Sequence, residues 1–189
     1  MNRPLRLAGY GASAALVLLG IACVVIGFAG RGEVRDRLAQ EQIVGTPDSS
    51  IPGQSVDTGS EAKAFADTIR KHTLDATDGL TYAEMPRAVF AKGGKPVPDA
   101  QVDQALASGK AIDNPARQIW ITSTALSTAL NTSYFAESVA TFTLVIGFAL
   151  MLIGTGLGVL TRSAVRTESP REDASRQSTV GAQPSIGTA

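Results

Sequence analysis

The chain has 189 residues, with 17 lysines and arginines against 17 aspartates and glutamates and a single histidine. That balance gives no net field to draw the protein onto nucleic acid or an anionic surface, and His72 alone cannot furnish the imidazoles of a zinc or iron site. Cys23 is the one cysteine, so no disulfide forms within the chain, and aromatic residues make up only 5% of it.

Residues 1–7 carry Arg3 and Arg6 and give way to an uncharged run at 8–30, AGYGASAALVLLGIACVVIGFAG. A second uncharged run, SVATFTLVIGFALMLIGTGLGVLT, covers 138–161. Each reaches the roughly 20 residues a helix needs to cross bilayer hydrocarbon. Neither has the polar face that a core helix of a small protein shows. The first run is longer than the apolar part of a cleaved signal peptide. LLGIAC suggests a lipoprotein signal ending at Cys23, but VVIGFAG continues the run beyond it, and lipidation there would strand those residues at the start of the mature chain.

The expected fold is mainly α: a two-helix transmembrane hairpin with a small helical extracytoplasmic module. Transmembrane helix 1 covers 8–30, the module 31–137 and transmembrane helix 2 138–161. Arg3 and Arg6 before the first span, with Arg162 and Arg166 after the second, place both termini on the cytoplasmic side of a plasma (inner) membrane by the positive-inside rule. Arg31, Arg35 and Arg37 run against that rule, in a long loop that is translocated largely regardless of its charge.

Beyond the first run, GEVRDRLAQEQIV continues the helix, with Glu33–Arg37 and Arg37–Glu41 four residues apart. GTPDSSIPGQ stops it, and Pro52–Gly53 marks a turn. Ser60 opens a second helix on which Ala62, Phe65, Ala66, Ile69, Thr73 and Ala76 share a face; Gly79 ends it. Thr81 and Glu84 have capping-box spacing, with Pro86 cutting any helix short. AKGGKPVPD reads as a mobile loop, with a hairpin turn at Gly93–Gly94 as the alternative. Asp99 caps a short helix to about Ser108. Asn114–Pro115 opens another, and ARQIWITSTALSTALNTSYF is free to run on into the second span. The tail, 162–189, reads as disordered and cytoplasmic. A module of about 100 residues without disulfides is marginal alone and gains from packing on the spans, on itself or on a partner.

Tyr134 and Phe135 fit an interfacial aromatic belt. Glu137 is the last charge before the second span, at the height where Arg31 and Arg35 follow the first. These three form a candidate inter-span ion pair, the alternative being a hydrated carboxylate. Gly154 and Gly158, opposite Gly11 and Ala15, are candidate helix-packing positions. Trp120, Tyr134 and Phe135 are candidate partner contacts, with core packing or interface anchoring as the alternative.

Templates for chemistry find no match. There is no G-x-S-x-G elbow, and GTGLG at 154–158 lies inside an apolar span. The residue five before Gly79 is Leu74, where a calcium loop requires aspartate. Neither span holds the ionisable residue that marks an ion path. No catalytic, metal or cofactor set is expected. The expected partners are the lipid bilayer and either another membrane protein or a second copy, with no nucleic acid and no small-molecule substrate.

ADTIRKHTLDATDGLTYAEM (66–85) and TALNTSYFAESVATF (128–142) resemble a family of uncharacterised actinobacterial two-span membrane proteins, over most of residues 8–161. Its members often carry the label aromatic ring-opening dioxygenase. Extradiol ring cleavage uses iron on two histidines and a carboxylate, a set this chain cannot assemble alone; a non-catalytic subunit of such an enzyme would be soluble. The resemblance therefore implies location and architecture. The leading expectation is a non-enzymatic envelope protein that presents its module to a partner or serves as an accessory subunit of a membrane complex. The rival is an enzyme subunit of the labelled type.

Overall fold

A computed structural model describes the backbone of residues 3–180 and the side chains of residues 4–163. The chain is mainly helical: α1 (Arg3–Gln40), α2 (Gly59–Ala76), β1 (Ala88–Phe90), a 3-10 turn (Asp99–Gln101), α3 (Val102–Ala107), β2 (Ala111–Asp113) and α4 (Pro115–Val180). It divides into two compact units. One is formed by the apolar stretches of α1 and α4, the other by residues Gly30–Val139.

In the apolar unit the two long helices pack antiparallel, their partner numbers falling on α4 as they rise on α1. A Cβ placed on Gly9 would meet Thr161, and one on Gly154 would meet Ser13 and Val17. A Cβ on Gly20 would lie 2.7 Å from the Gly147 carbonyl oxygen, and one on Gly27 2.9 Å from that of Ala140. At these glycines the backbones approach closely and gain dispersion contact, with Val17, Val24, Leu144 and Met151 packed against them. Ser13 adds a hydrogen bond, its hydroxyl donating to the Gly154 carbonyl at 2.7 Å. Residues 13, 20 and 27 face 154, 147 and 140, the seven-residue recurrence of a left-handed helix pair.

This corrects one expected surface. Gly154 and Gly158 lie on the seam, but Gly11 has nothing within 4 Å and Ala15 is exposed. Gly11 is two residues from Ser13, about 200° around the helix, so it points away from α4. The partner surface on α1 is Gly9, Ser13, Val17, Gly20 and Gly27.

The second unit has two small cores. Leu38, Val56, Ala62, Ala66 and Leu130 form the first, with Val34, Ile43, Ile51, Phe65 and Ile69 against it. α1 stays helical to Gln40, and Glu33 pairs with Arg37 at 2.7 Å on its exposed side. The chain then reverses through a turn in which Pro52 precedes Gly53 at φ 69°, the Gln54 N–H donating to the Ile51 carbonyl. Proline followed by a left-handed glycine is what a type II turn requires. α2 begins at Gly59, one residue before the expected Ser60: Thr58 is its N-cap, in a reciprocal capping box with Glu61. The expected apolar face holds apart from Ala76, which is exposed beside buried Thr77.

Residues 81–113 correct the purely helical module. Thr81 and Glu84 make the expected contacts, at 2.7 Å, around a turn with no helix. The hairpin alternative is the one observed: Gly93 and Gly94 take φ 95° and 64°, and the Phe90 N–H donates to the Lys95 carbonyl at 2.9 Å. β1 also pairs antiparallel with β2, in the register Val89↔Ile112. Ala88, Val97, Val102, Ala105 and Ala111 close a second core beneath. The strand at 111–113 is too short for alternation to reveal it in sequence.

Asn114 caps α4, its Oδ1 accepting the Ala116 N–H at 3.0 Å while its amide donates to the Pro86 carbonyl at 3.0 Å. α4 then runs without a break to Val180. The sequence reading leaves 162–180 unstructured; a helix already formed extends without a new nucleus. The rest of the expected tail, 181–189, lies outside the described residues.

Candidate functional site at Glu137

Glu137 sits on α4 and is 9% exposed. Arg31 Nη2 lies 3.2 Å from its Oε1 and Arg35 Nε 3.7 Å from the same oxygen, both arginines on α1. Its other oxygen, Oε2, accepts the backbone N–H of Gly59 at 2.6 Å. Gly59 is the first residue of α2, where backbone donors have no acceptor within the helix and where the helix dipole favours an anion. One carboxylate thus ties α1, α2 and α4 together by charge-assisted contacts, the stronger class of hydrogen bond.

The structure brings together the candidate trio Glu137, Arg31 and Arg35 and adds Gly59, which sequence reasoning missed. A Cβ at residue 59 would lie 2.8 Å from Glu137 Oε2 and 2.9 Å from Tyr134 Cα, so the approach requires glycine. A signal was present in DTGSE: Thr58 and Glu61 in capping-box spacing put residue 59 at the first helical position, where glycine otherwise has no propensity reason to be.

Trp120 is placed differently from its candidate role as a partner contact. It is 8% exposed, and its Nε1–H donates to the Leu80 carbonyl at 2.9 Å and reaches Thr77 Oγ1 at 3.3 Å. The Arg70 guanidinium lies 5.6 Å from the ring centroid. The indole anchors the end of α2 to α4 from inside. Tyr134 and Phe135 remain at the surface, 41% and 67% exposed.

His72, a single imidazole and too few for a metal site, holds a loop. Its Nε2 lies 2.6 Å from Asp48 Oδ2, with Lys71 Nζ at 3.6 Å, and the Thr46 hydroxyl bonds the other carboxylate oxygen at 2.8 Å. The His72 hydrogen bond, then that of Thr46, holds the Asp48 carboxyl well below the usual carboxylate range. The cluster clips the 45–56 turn to α2.

Shallow grooves mark the surface of the second unit. One of about 170 Å³ between α2 and α4 is lined by Asp67, Arg70, Ser123, Ser127 and Asn131. Another, of about 450 Å³, lies between the turns at Lys92 and Lys110, with Phe90 in its wall. Among the described residues no three histidine, cysteine or acidic side chains gather where they could hold a metal. No protein-family model, curated protein or solved structure matches the chain.

Proposed function

We propose that this is a non-enzymatic integral membrane protein of the cell envelope. In this reading α1 and α4 cross the plasma membrane as a hairpin, both termini face the cytoplasm, and residues 31–137 form an extracytoplasmic module that engages a partner. The two-span family carried by the quoted motifs belongs to the same proposal.

One observation carries it. Both helices are long and apolar enough to span a bilayer, yet only 11% and 17% of their most apolar windows are buried within the chain. A core helix of a water-soluble protein is covered by its own fold; here Leu18, Val25, Phe142 and Leu152 stand exposed on helices with no polar face. Exposed apolar surface on that scale calls for a non-aqueous neighbour, and lipid supplies one along the whole length. The Glu137 cluster stands where charge ends along the chain before the second apolar run.

The test is fractionation joined to topology. The full chain should resist alkaline extraction from membranes. In a Cys23→Ser background, a membrane-impermeant maleimide should label Lys92→Cys on intact cells and Ser163→Cys only after permeabilisation. Recovery in the soluble fraction would overturn the membrane reading, and the reverse labelling pattern would overturn the orientation.

A further inference from the structure

We propose that the groove between α2 and α4 is a binding site for a small hydroxylated carboxylate of the sugar-acid class. The inference goes beyond the membrane reading and does not depend on it, since every residue lining the groove belongs to the second unit.

The groove has a satisfied floor and unsatisfied walls. Ala66, Thr73 and Trp120 are buried beneath it. The Thr73 hydroxyl donates to the Ile69 carbonyl at 2.8 Å, and the indole N–H is occupied by the Leu80 carbonyl. On the α4 side Ser123, Ser127 and Asn131 recur at four-residue steps, with Thr124 and Thr128 beside them. Farther along α4 the hydroxyls of Thr132, Ser133 and Ser138 return to the carbonyl four residues back. Those of Ser123, Thr124, Ser127 and Thr128 make no hydrogen bond among the described residues, nor does the Asn131 amide. The helix gains nothing from this row, because Ser, Thr and Asn are poorer helix formers than the Glu, Lys or Ala that would serve a merely solvated face.

On the α2 side Asp67 and Arg70 are three residues apart, near enough to pair, yet they do not. Lys63 takes Asp67, Nζ to Oδ2 at 3.1 Å. The Arg70 guanidinium lies over Trp120 instead, 5.6 Å from the ring centroid. Arg31, Arg35, Arg37 and Arg87 each face a carboxylate, whereas Arg70 has no ion pair or hydrogen bond among the described residues.

These groups define the ligand. A guanidinium with free N–H donors matches a carboxylate in a two-pronged contact. Hydroxyls and an amide both donate and accept, so the row on α4 suits ligand hydroxyls, and Asp67, an acceptor only, takes the proton of another. A bare anion would leave that row unused, and a neutral sugar would leave Arg70 without a counter-ion. At about 170 Å³, below the roughly 300 Å³ at which drug-sized sites begin, the groove admits one small molecule and no length of polymer.

Trp120 is the chain's only tryptophan and reports occupancy from the floor. Full-length protein in a detergent without a sugar headgroup should show a saturable change in emission with D-glucuronate or D-gluconate, and calorimetric titration should give the same Kd. Glucose and acetate should each bind at least about tenfold more weakly, as loss of a charge-assisted contact or of several hydroxyl bonds implies. Arg70→Gln should weaken the sugar acid by a similar factor and leave glucose unchanged, and Arg70→Lys should recover only part of the loss. Ser127→Ala should weaken sugar acid and glucose together. Circular dichroism establishes that each variant folds, and Arg70→Lys with Ser127→Ala carries the test where Arg70→Gln does not. No saturable change with either sugar acid overturns the site. Acetate as tight as glucuronate overturns the part given to the hydroxyl row, and sugar-acid binding unmoved at Arg70 overturns the carboxylate assignment. None of these outcomes bears on membrane insertion, which the fractionation decides separately.

Discussion

The Glu137 carboxylate accepts the Gly59 N–H at 2.6 Å across 78 residues of chain, while its other oxygen faces Arg31 at 3.2 Å. Here one charged side chain joins α1, α2 and α4. Removing it leaves two guanidiniums and a helix N-terminus facing one another, so Glu137→Ala should destabilise the unit by about 2 kcal/mol, the cost typical of orphaned buried partners. Arg35→Ala should cost less than about 1 kcal/mol, because that side chain is half exposed. Gly59→Ala should behave like Glu137→Ala, since the added methyl displaces the carboxylate. Thermal unfolding of detergent-solubilised full-length protein would rank the three; equal effects at Arg35 and Glu137 would contradict the assignment.

Glycine substitutions separate the seam from its surroundings. Gly20→Ala and Gly147→Ala place a Cβ 2.7 Å and 2.8 Å from the opposite backbone and should lower the melting temperature by forcing α1 and α4 apart. Gly11→Ala and Gly156→Ala meet nothing within 4 Å, so they should be neutral or stabilising by up to about 1 kcal/mol through helix propensity alone. If all four variants melted alike, the close approach would have no energetic weight.

How far the sequence spoke depends on the range of the interaction. The two apolar runs, the continuation of α4 into the second of them and the turn at Pro52–Gly53 were legible because each is written in consecutive residues. The charged boundary was half legible: a lone Glu137 before an apolar run suggested Arg31 and Arg35, but nothing local showed that the N-terminus of α2 arrives there. Ser13 and Val17, rather than Gly11 and Ala15, meet Gly154 because helix phase decides between two equally small-residue faces. Composition cannot see phase without a partner. Strands of three residues, such as Ala111–Asp113, offer no periodicity at all, and their existence depends on Ala88 and Val102 closing a core around them.

Acid should loosen the second unit through its depressed carboxylates. Asp48 is held low first by His72, and Glu84 by the backbone and hydroxyl of Thr81. For Glu61 burial pushes upward, but the hydrogen bonds of Thr58 and Asp57 together outweigh it. A lowered folded value means the contribution is complete above the unfolded value, about 4, and is lost as pH falls through the folded one. Stability should therefore be level from neutral pH down to about 5 and decline below about 4. Asp48→Asn should be less stable than the parent at pH 6 and converge with it at strongly acid pH. Parallel melting curves across the whole range would remove the Asp48–His72 clip from the account.

Trp120 gives the sharpest test of the interior of the second unit, because it is the chain's only tryptophan. With its ring 8% exposed and its Nε1–H donating to the Leu80 carbonyl, its emission should be blue-shifted in the folded protein and move to the red on unfolding. Trp120→Phe keeps most of the buried area and leaves the Leu80 carbonyl the Thr77 hydroxyl as a donor at 2.8 Å, so a loss of no more than about 1 kcal/mol is expected. Trp120→Ala also opens a cavity between α2 and α4, and about 3–5 kcal/mol is expected. Circular dichroism of both variants measures the difference. A water-exposed emission spectrum, or an alanine variant as stable as the parent, would return Trp120 to the surface as a contact for some other molecule.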